Sequence, residues 1–343
     1  MNSKVYISIS LSTLLIFGCS PNEKPSKVSA QKSQTSEIDE LPSWKPGNTK
    51  NDILEFIETT TQEGSTDFIP VSDRIAVFDN DGTLWSEQPM YFQLFYIFDR
   101  VKELAPEHPE WKNKEPFMHV LSGEHEKALA GGTQALLKLV EATSGNITTD
   151  ENQKNIEKWI SSQTHPKTGL YFNEMIYQPM LELIELLKKH EYKVFIVSGG
   201  GMDFIRAWAE ETYGIPPYQV VGTYSKVKYE IIEGTPQLIK QPGVEFIDDK
   251  EGKPVGIHQN IGKRPIIAVG NSDGDYQMLD WITSNTEYRR FGLILHHTDS
   301  IREWAYDSNS HIGNLKQGLI DAPDKGWTVI DMAKDWNSIY PTH

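Results

Sequence analysis

Three short apolar runs, each ending abruptly in polar or glycine residues, punctuate the chain. Residues 75–78 (Ile-Ala-Val-Phe) lead into Asp-Asn-Asp-Gly-Thr, residues 194–197 into Ser-Gly-Gly-Gly, and residues 266–269 into Gly-Asn-Ser-Asp-Gly-Asp. Apolar runs of this length, closed by turn residues, read as strands buried on both faces, the habit of parallel sheets. Between the runs the period changes. In residues 178–190, Met180, Leu183, Ile184 and Leu187 fall on one face with Glu182, Glu185, Lys188 and Lys189 opposite, and Pro179 suits a first turn. That spacing predicts an amphipathic helix packed back on the sheet. Residues 51–61, 90–104, 125–143 and 202–213 have helix-like spacing as well. Residues 219–258 mix β-like stretches (220–223 and 227–232) with turn signals at 242–243 and 251–253, which predicts hairpins. A fourth parallel strand is expected at 291–295 and a last short one at 329–330.

The fold class is therefore α/β, a Rossmann-like parallel sheet. More than a hundred residues separate the first two runs, far more than one crossover needs. The excess, residues 86–177, is expected to form a helical cap inserted after the first strand, leaving 49–85 and 178–343 as the core.

In open parallel sheets, chemistry collects beyond the carboxyl ends of the strands. Asp79 and Asp81 follow the first run there, and Ser198 with Gly199 and Gly200 follows the second. Asn271, Asp273 and Asp275 follow the third, and Lys263 stands just before it. Asp-Gly is a common turn pair, and three glycines alone read as a flexible turn. All four segments in this order are far more specific. They resemble the haloacid dehalogenase superfamily, most closely its phosphoserine-phosphatase-like branch, over roughly residues 73–295. The second aspartate distinguishes phosphate chemistry from cleavage of carbon–halogen bonds.

The resemblance implies roles. Asp79 is the expected nucleophile, forming an aspartyl-phosphate that water later cleaves, and Asp81 the expected proton donor and acceptor. Ser198, the Gly199 amide and Lys263 are expected to hold the substrate phosphate, with a helix start at residue 202 assisting. Mg²⁺ is the implied cofactor, bound by the Asp79 carboxylate, the Asp81 main-chain carbonyl and a side chain of the last motif. There the chain departs from the usual Gly-Asp-x-x-x-Asp: it reads Gly270-Asn271-Ser272-Asp273-Gly274-Asp275. Either the Asn271 amide oxygen binds the metal or Asp273 substitutes, with Asp275 in support. Glu87, Tyr91 and Gln93, in the loop after the first motif, are candidates for substrate specificity. Glu87 could meet an amine on the substrate, or simply be solvated. His296, His297 and Arg302 are expected to take polar loop roles or touch phosphate.

Composition narrows the partners. A formal charge of −15 over 343 residues argues against nucleic acid, and no protein partner is evident. A small phosphorylated substrate needs local positive charge, which the lysine, the metal and the helix end would supply. Residues 1–18 have one early lysine and an apolar stretch too short to span a membrane, as in a secretory leader. Cys19, the chain's one cysteine, follows Ile-Phe-Gly in a pattern that resembles a bacterial lipobox. Cys19 is either lipidated or incidental to a simply cleaved leader. Residues 19–48 read as the lipidated cysteine and a disordered tether. The expected location is the periplasmic side of the cell envelope, anchored through lipid, with outer-membrane sorting as the default. A phosphotransferase or mutase, or a non-catalytic surface lipoprotein, are the alternatives to a phosphomonoester hydrolase.

Overall fold

The computed structural model describes residues 39–342; the expected leader, Cys19 and the first part of the tether lie outside them. Seven strands form one sheet: β1 (Ile75–Phe78), β2 (Lys193–Gly201), β3 (Val220–Ile232), β4 (Thr235–Phe246), β5 (Ile267–Gly270), β6 (Phe291–His296) and β7 (Thr328–Asp331). Their order is β4-β3-β2-β1-β5-β6-β7. Every neighbouring pair is parallel except β3 and β4, which make an antiparallel hairpin. All four residues of β1 and of β5 are buried, as their unbroken apolar runs require.

The helices are α1 (Asn48–Thr61), α2 (Phe92–Leu104), α3 (Phe117–Leu121), α4 (His125–Leu129), α5 (Thr133–Ser144), α6 (Thr149–Ile160), α7 (Gln178–Lys189), α8 (Met202–Arg206), α9 (Ala209–Tyr213), α10 (Gly252–Asn260), α11 (Tyr276–Thr283), α12 (Gln317–Lys325) and α13 (Met332–Asp335). Helices α2 to α6 occupy the interval between β1 and α7. An aromatic cluster ties them to the core: Trp159 stacks on Phe172 at 4.6 Å, and Tyr96 meets Trp159 and Phe204 at 5.6 and 5.5 Å. The hairpin also reaches these helices, where Lys240 and residues 146–147 exchange main-chain hydrogen bonds.

Several sequence expectations are corrected. Helical spacing over 125–143 covers two helices, because Gly132 turns the chain at a φ of +58°. Residues 202–213 likewise divide into α8 and α9, and the break buries Trp208 in a stack on Trp85 at 4.3 Å. One hairpin, not several, fills 220–246, and the turn signal at 251–253 is the first turn of α10. The tether does not extend to residue 48. Leu41 and Trp44 are buried, and the Trp44 indole donates to the Pro179 carbonyl at 2.9 Å and packs edge-on against Trp336. This segment covers the polar side of α7, where Glu182 is buried and accepts from the Ser43 amide at 2.9 Å.

Trp44→Ala should therefore cost about 3–5 kcal/mol, the range for removing a buried aromatic. Urea unfolding measures it, and an unchanged midpoint would return residues 39–47 to the status of a dispensable tether.

Candidate active site

The register of the central strands decides where the first aspartate sits. Phe78 pairs with both Ile196 and Val269, and the Asp79 amide donates to the Val269 carbonyl at 2.9 Å. Asp79 thus emerges at the carboxyl edge, at the base of a cavity of ≈ 400 Å³ roofed by α2, α5 and α6. The lysine that reaches it is Lys253. Its ammonium donates to Asp79 Oδ1 and Asp275 Oδ1, both at 2.6 Å, and to the Val197 carbonyl at 2.9 Å. Three donors meet three acceptors, one within β2 and one just beyond each of β1 and β5, and no N–H is left over. Lys253 is 2% exposed, so water screens little of this charge.

Burial alone would lower the Lys253 pKa, but the two carboxylates outweigh it and hold the ammonium charged. Burial and then the charge of Asp275 push Asp79 toward its protonated form, and Lys253 opposes them. Asp275 also orders its own loop, since Oδ2 accepts from the Asn271 and Ser272 amides at 3.0 and 3.1 Å. Burial raises Asp81 to about 6, against the pull of a 2.9 Å hydrogen bond from the Trp85 indole and the charge of Lys253. A carboxyl that takes and gives a proton near neutrality suits acid–base work.

Gly82 closes the loop at a φ of +75°. A Cβ there would stand 2.1 Å from Asn271 Nδ2 and 2.4 Å from Glu87 Oε1, so only glycine lets those side chains converge. Glu87 Oε1 accepts from Asn271 Nδ2 and from the Tyr306 hydroxyl, each at 2.8 Å. With Nδ2 donating to that carboxyl, Asn271 Oδ1 faces Thr83 Oγ1 at 3.1 Å, and the same hydroxyl lies 3.5 Å from Asp79 Oδ2. His297, buried behind the loop, hydrogen-bonds the Gly82 carbonyl through Nε2 at 2.7 Å and meets Glu303 on its other side.

The structure brings Asp79, Asp81, Ser198, Gly199 and Asp275 to one cavity. It does not bring Lys263, which pairs with Asp73 at 2.6 Å and the Ser72 carbonyl at 2.9 Å on the opposite edge of the sheet. Lys263 immediately precedes a parallel strand, and the residue before a strand lies at the end away from the chemistry. Lys253 opens the helix that runs back toward that end, so its first turn stands at the carboxyl edge. The sequence reading took it for a turn residue. Asp273 is also taken: its carboxylate accepts from the amides of Lys316, Gln317 and Gly318 and organises the start of α12. Beyond Ser198 the chain continues as strand into a five-residue helix, too short for the expected anion-binding helix end. The Gly200 amide donates to Ser198 Oγ at 3.0 Å and the Gly201 amide to Gln93 Oε1 at 2.8 Å. Gln93 therefore clamps α2 to β2, Glu87 is neither solvated nor free, and Tyr91 lines the cavity beside it. Arg302 pairs with Asp299 rather than facing the site.

Among the described residues no group of three or more His, Cys, Asp or Glu side chains is set to hold a metal. An oxygen donor set that includes an amide and a main-chain carbonyl still fits a hard cation. Asp79 Oδ2 and Asn271 Oδ1 already converge on the Thr83 hydroxyl. Of the two ligand alternatives, Asn271 fits and Asp273 does not.

The family model of haloacid dehalogenase-like hydrolases matches residues 76–280, and the chain belongs to that family. No curated protein matches its sequence. Similar solved structures include a protein of unknown function from Bordetella pertussis Tohama I, at 16% identity and a TM-score of 0.44, covering 76% of this chain and 98% of that one. A functionally unknown protein from Anaerococcus prevotii DSM 20548 is 15% identical with a TM-score of 0.43, covering 73% and 86%. A probable phosphoserine phosphatase from Vibrio cholerae is 16% identical with a TM-score of 0.34, covering 74% and 67%.

Lys253→Met leaves two buried carboxylates without a counter-charge, which should cost about 3–5 kcal/mol. Lys263→Met removes an exposed pair and should cost no more than about 1 kcal/mol. Denaturant unfolding of both variants checks this, and equal losses would reverse the assignment of the two lysines.

Proposed function

We propose that this hydrolase is a Mg²⁺-dependent phosphomonoester hydrolase, acting on a small phosphorylated compound through an aspartyl-phosphate on Asp79. The observation that carries the proposal is the Asp79 carboxylate itself. It is held at one oxygen by Lys253, with the other beside Thr83 and the cavity. Oδ2 attacks phosphorus, and the bond to the leaving oxygen breaks as Asp81 gives that oxygen its proton. Asp81, now a carboxylate, takes a proton from water, which attacks the phosphorus and releases phosphate and Asp79. Ser198 Oγ and the Gly199 amide are the donors for the phosphoryl oxygens. Lys253 favours the anionic nucleophile throughout. Mg²⁺, held by Asp79, the Asp81 main-chain carbonyl and Asn271, would supply further positive charge against the phosphate. A neutral Asn271 binds it less tightly than an aspartate would. The leader reading of residues 1–19 assigns this activity to the cell envelope, with Cys19 as the point of lipid attachment.

Release of inorganic phosphate from 4-nitrophenyl phosphate should depend on Mg²⁺, and Asp79→Asn should lower kcat by at least about 10³-fold. Turnover that survives in Asp79→Asn would eliminate the covalent route. Separately, Cys19→Ser should move the protein from the membrane to the soluble fraction of cells, and unchanged membrane fractionation would remove the lipid assignment.

A further inference from the structure

The cavity above Asp79 has two ends of unlike chemistry. At its base stand the groups that handle phosphate. Above them the walls turn apolar: Leu94 and Ile97 of α2, Leu136 and Val140 of α5, Ile156 of α6 and Phe204 of α8 all line it. The hairpin and its exit add Val244 and Ile247. Its ≈ 400 Å³ falls within the range of small-molecule sites and far exceeds a phosphate group.

Polar residues interrupt this apolar lining, and two of them carry atoms without partners. Tyr96 Oη and Asn152 Oδ1 are buried side-chain atoms without a hydrogen-bond partner, and both residues line the cavity. The residues are 4% and 3% exposed. Both atoms are covered as the side chains stand, and a buried oxygen left unpaired costs free energy, so a ligand group that reaches them through a small side-chain shift would relieve that cost. Asn152 Oδ1 can only accept, whereas a tyrosine hydroxyl can accept or donate. The lining also carries no spare cation. Its lysines are Lys253, committed to Asp79 and Asp275, and Lys240, committed to Asp203. Asp249 adds further negative charge on the same walls. A second phosphate or a carboxylate on the substrate would find no counter-charge there.

Resting on the phosphatase reading of Asp79, we propose that the substrate is the phosphomonoester of an elongated, mainly apolar alcohol. That alcohol carries a hydroxyl or amino group that donates to Asn152 and meets the Tyr96 hydroxyl. A second phosphate, as in a sugar bisphosphate or a nucleoside diphosphate, would meet no cation on the same walls. The apolar residues grip the chain, and the two oxygens select the substrate that bears the extra polar group. Selection of this kind is strong, because an analogue lacking that group leaves the buried oxygens unpaired.

Binding of non-hydrolysable phosphonates to the full-length protein tests this without turnover. Calorimetry would compare methylphosphonate, octylphosphonate and a series of hydroxyalkylphosphonates, in the presence of Mg²⁺. Octylphosphonate should bind roughly a hundredfold more tightly than methylphosphonate. The best hydroxyalkyl member should gain about a further tenfold over its deoxy analogue. Asn152→Leu should erase that gain. Tyr96→Phe, which removes one oxygen and keeps the ring, should reduce it. Equal affinity for methyl and octyl ligands, or a hydroxyl gain that survives both substitutions, would overturn the proposal. The corresponding phosphate esters separate the two levels of the argument. Chain-length preference in binding with no ester hydrolysed keeps the cavity assignment and removes the hydrolase. Hydrolysis indifferent to chain length does the reverse.

Discussion

A single ammonium group, Lys253 Nζ, holds the site together. It lies under the carboxyl edge of the sheet and binds the Val197 carbonyl of β2 together with Asp79 and Asp275, which follow β1 and β5. Asp79 and Asp275 repel each other at this depth. With a fully buried cation between them the charges are compensated, and breaking such a cluster by removing one partner costs several kcal/mol. The rest of the site follows from it. Asp275, anchored by Lys253, uses its second oxygen to fold residues 271 and 272, which sets the Asn271 side chain against Glu87. Asp79 keeps its other oxygen toward the cavity.

Around this centre the packing is tight enough that single atoms matter. A methyl group on Gly82 would displace both Asn271 and Glu87, and one on Gly313 would stand 1.9 Å from the same Glu87 oxygen. Tyr306 and His297, brought in by the segment after β6, brace that loop from behind. Above, the helices inserted after β1 and the hairpin of β3 and β4 close over the site with mostly apolar walls. The base is thus polar and charged, and the roof is largely apolar, with Tyr96 Oη and Asn152 Oδ1 unpaired.

Legibility in the sequence tracked the range of the interactions. β1, β2, β5 and β6 were visible because strands buried on both faces are written as uninterrupted apolar runs. Asp79, Asp81 and Ser198 were visible because each ends such a run. The lysine was misread because proximity to a strand in sequence is not proximity to its active end. Lys263 stands a few residues before β5 and so lies at the wrong edge, a deduction that strand direction already permits. Asp273 looked a better cation ligand than Asn271 by charge alone. That comparison could not see the three amides of α12 that occupy it. Residues 39–47 read as tether because a lone leucine and tryptophan in a polar stretch have no periodicity, yet both find places in the core between α7 and residue 336.

The sequence by itself determined the α/β class, the parallel core and the place of the helices inserted after β1. These depend on local apolar runs and on what terminates them, which neighbouring residues are enough to specify. Only the tertiary structure decided which lysine neutralises Asp79, that Asn271 rather than Asp273 lies toward Asp79, and that Glu87 serves Asn271. It alone showed where the cavity turns apolar and which oxygens lack partners. Those outcomes depend on contacts between residues 100 to 200 positions apart, such as Asn271 with Glu87 and Lys253 with Asp79. Buried charges and hydrogen-bond donors find partners by direction and distance in the folded chain, and no local pattern encodes either.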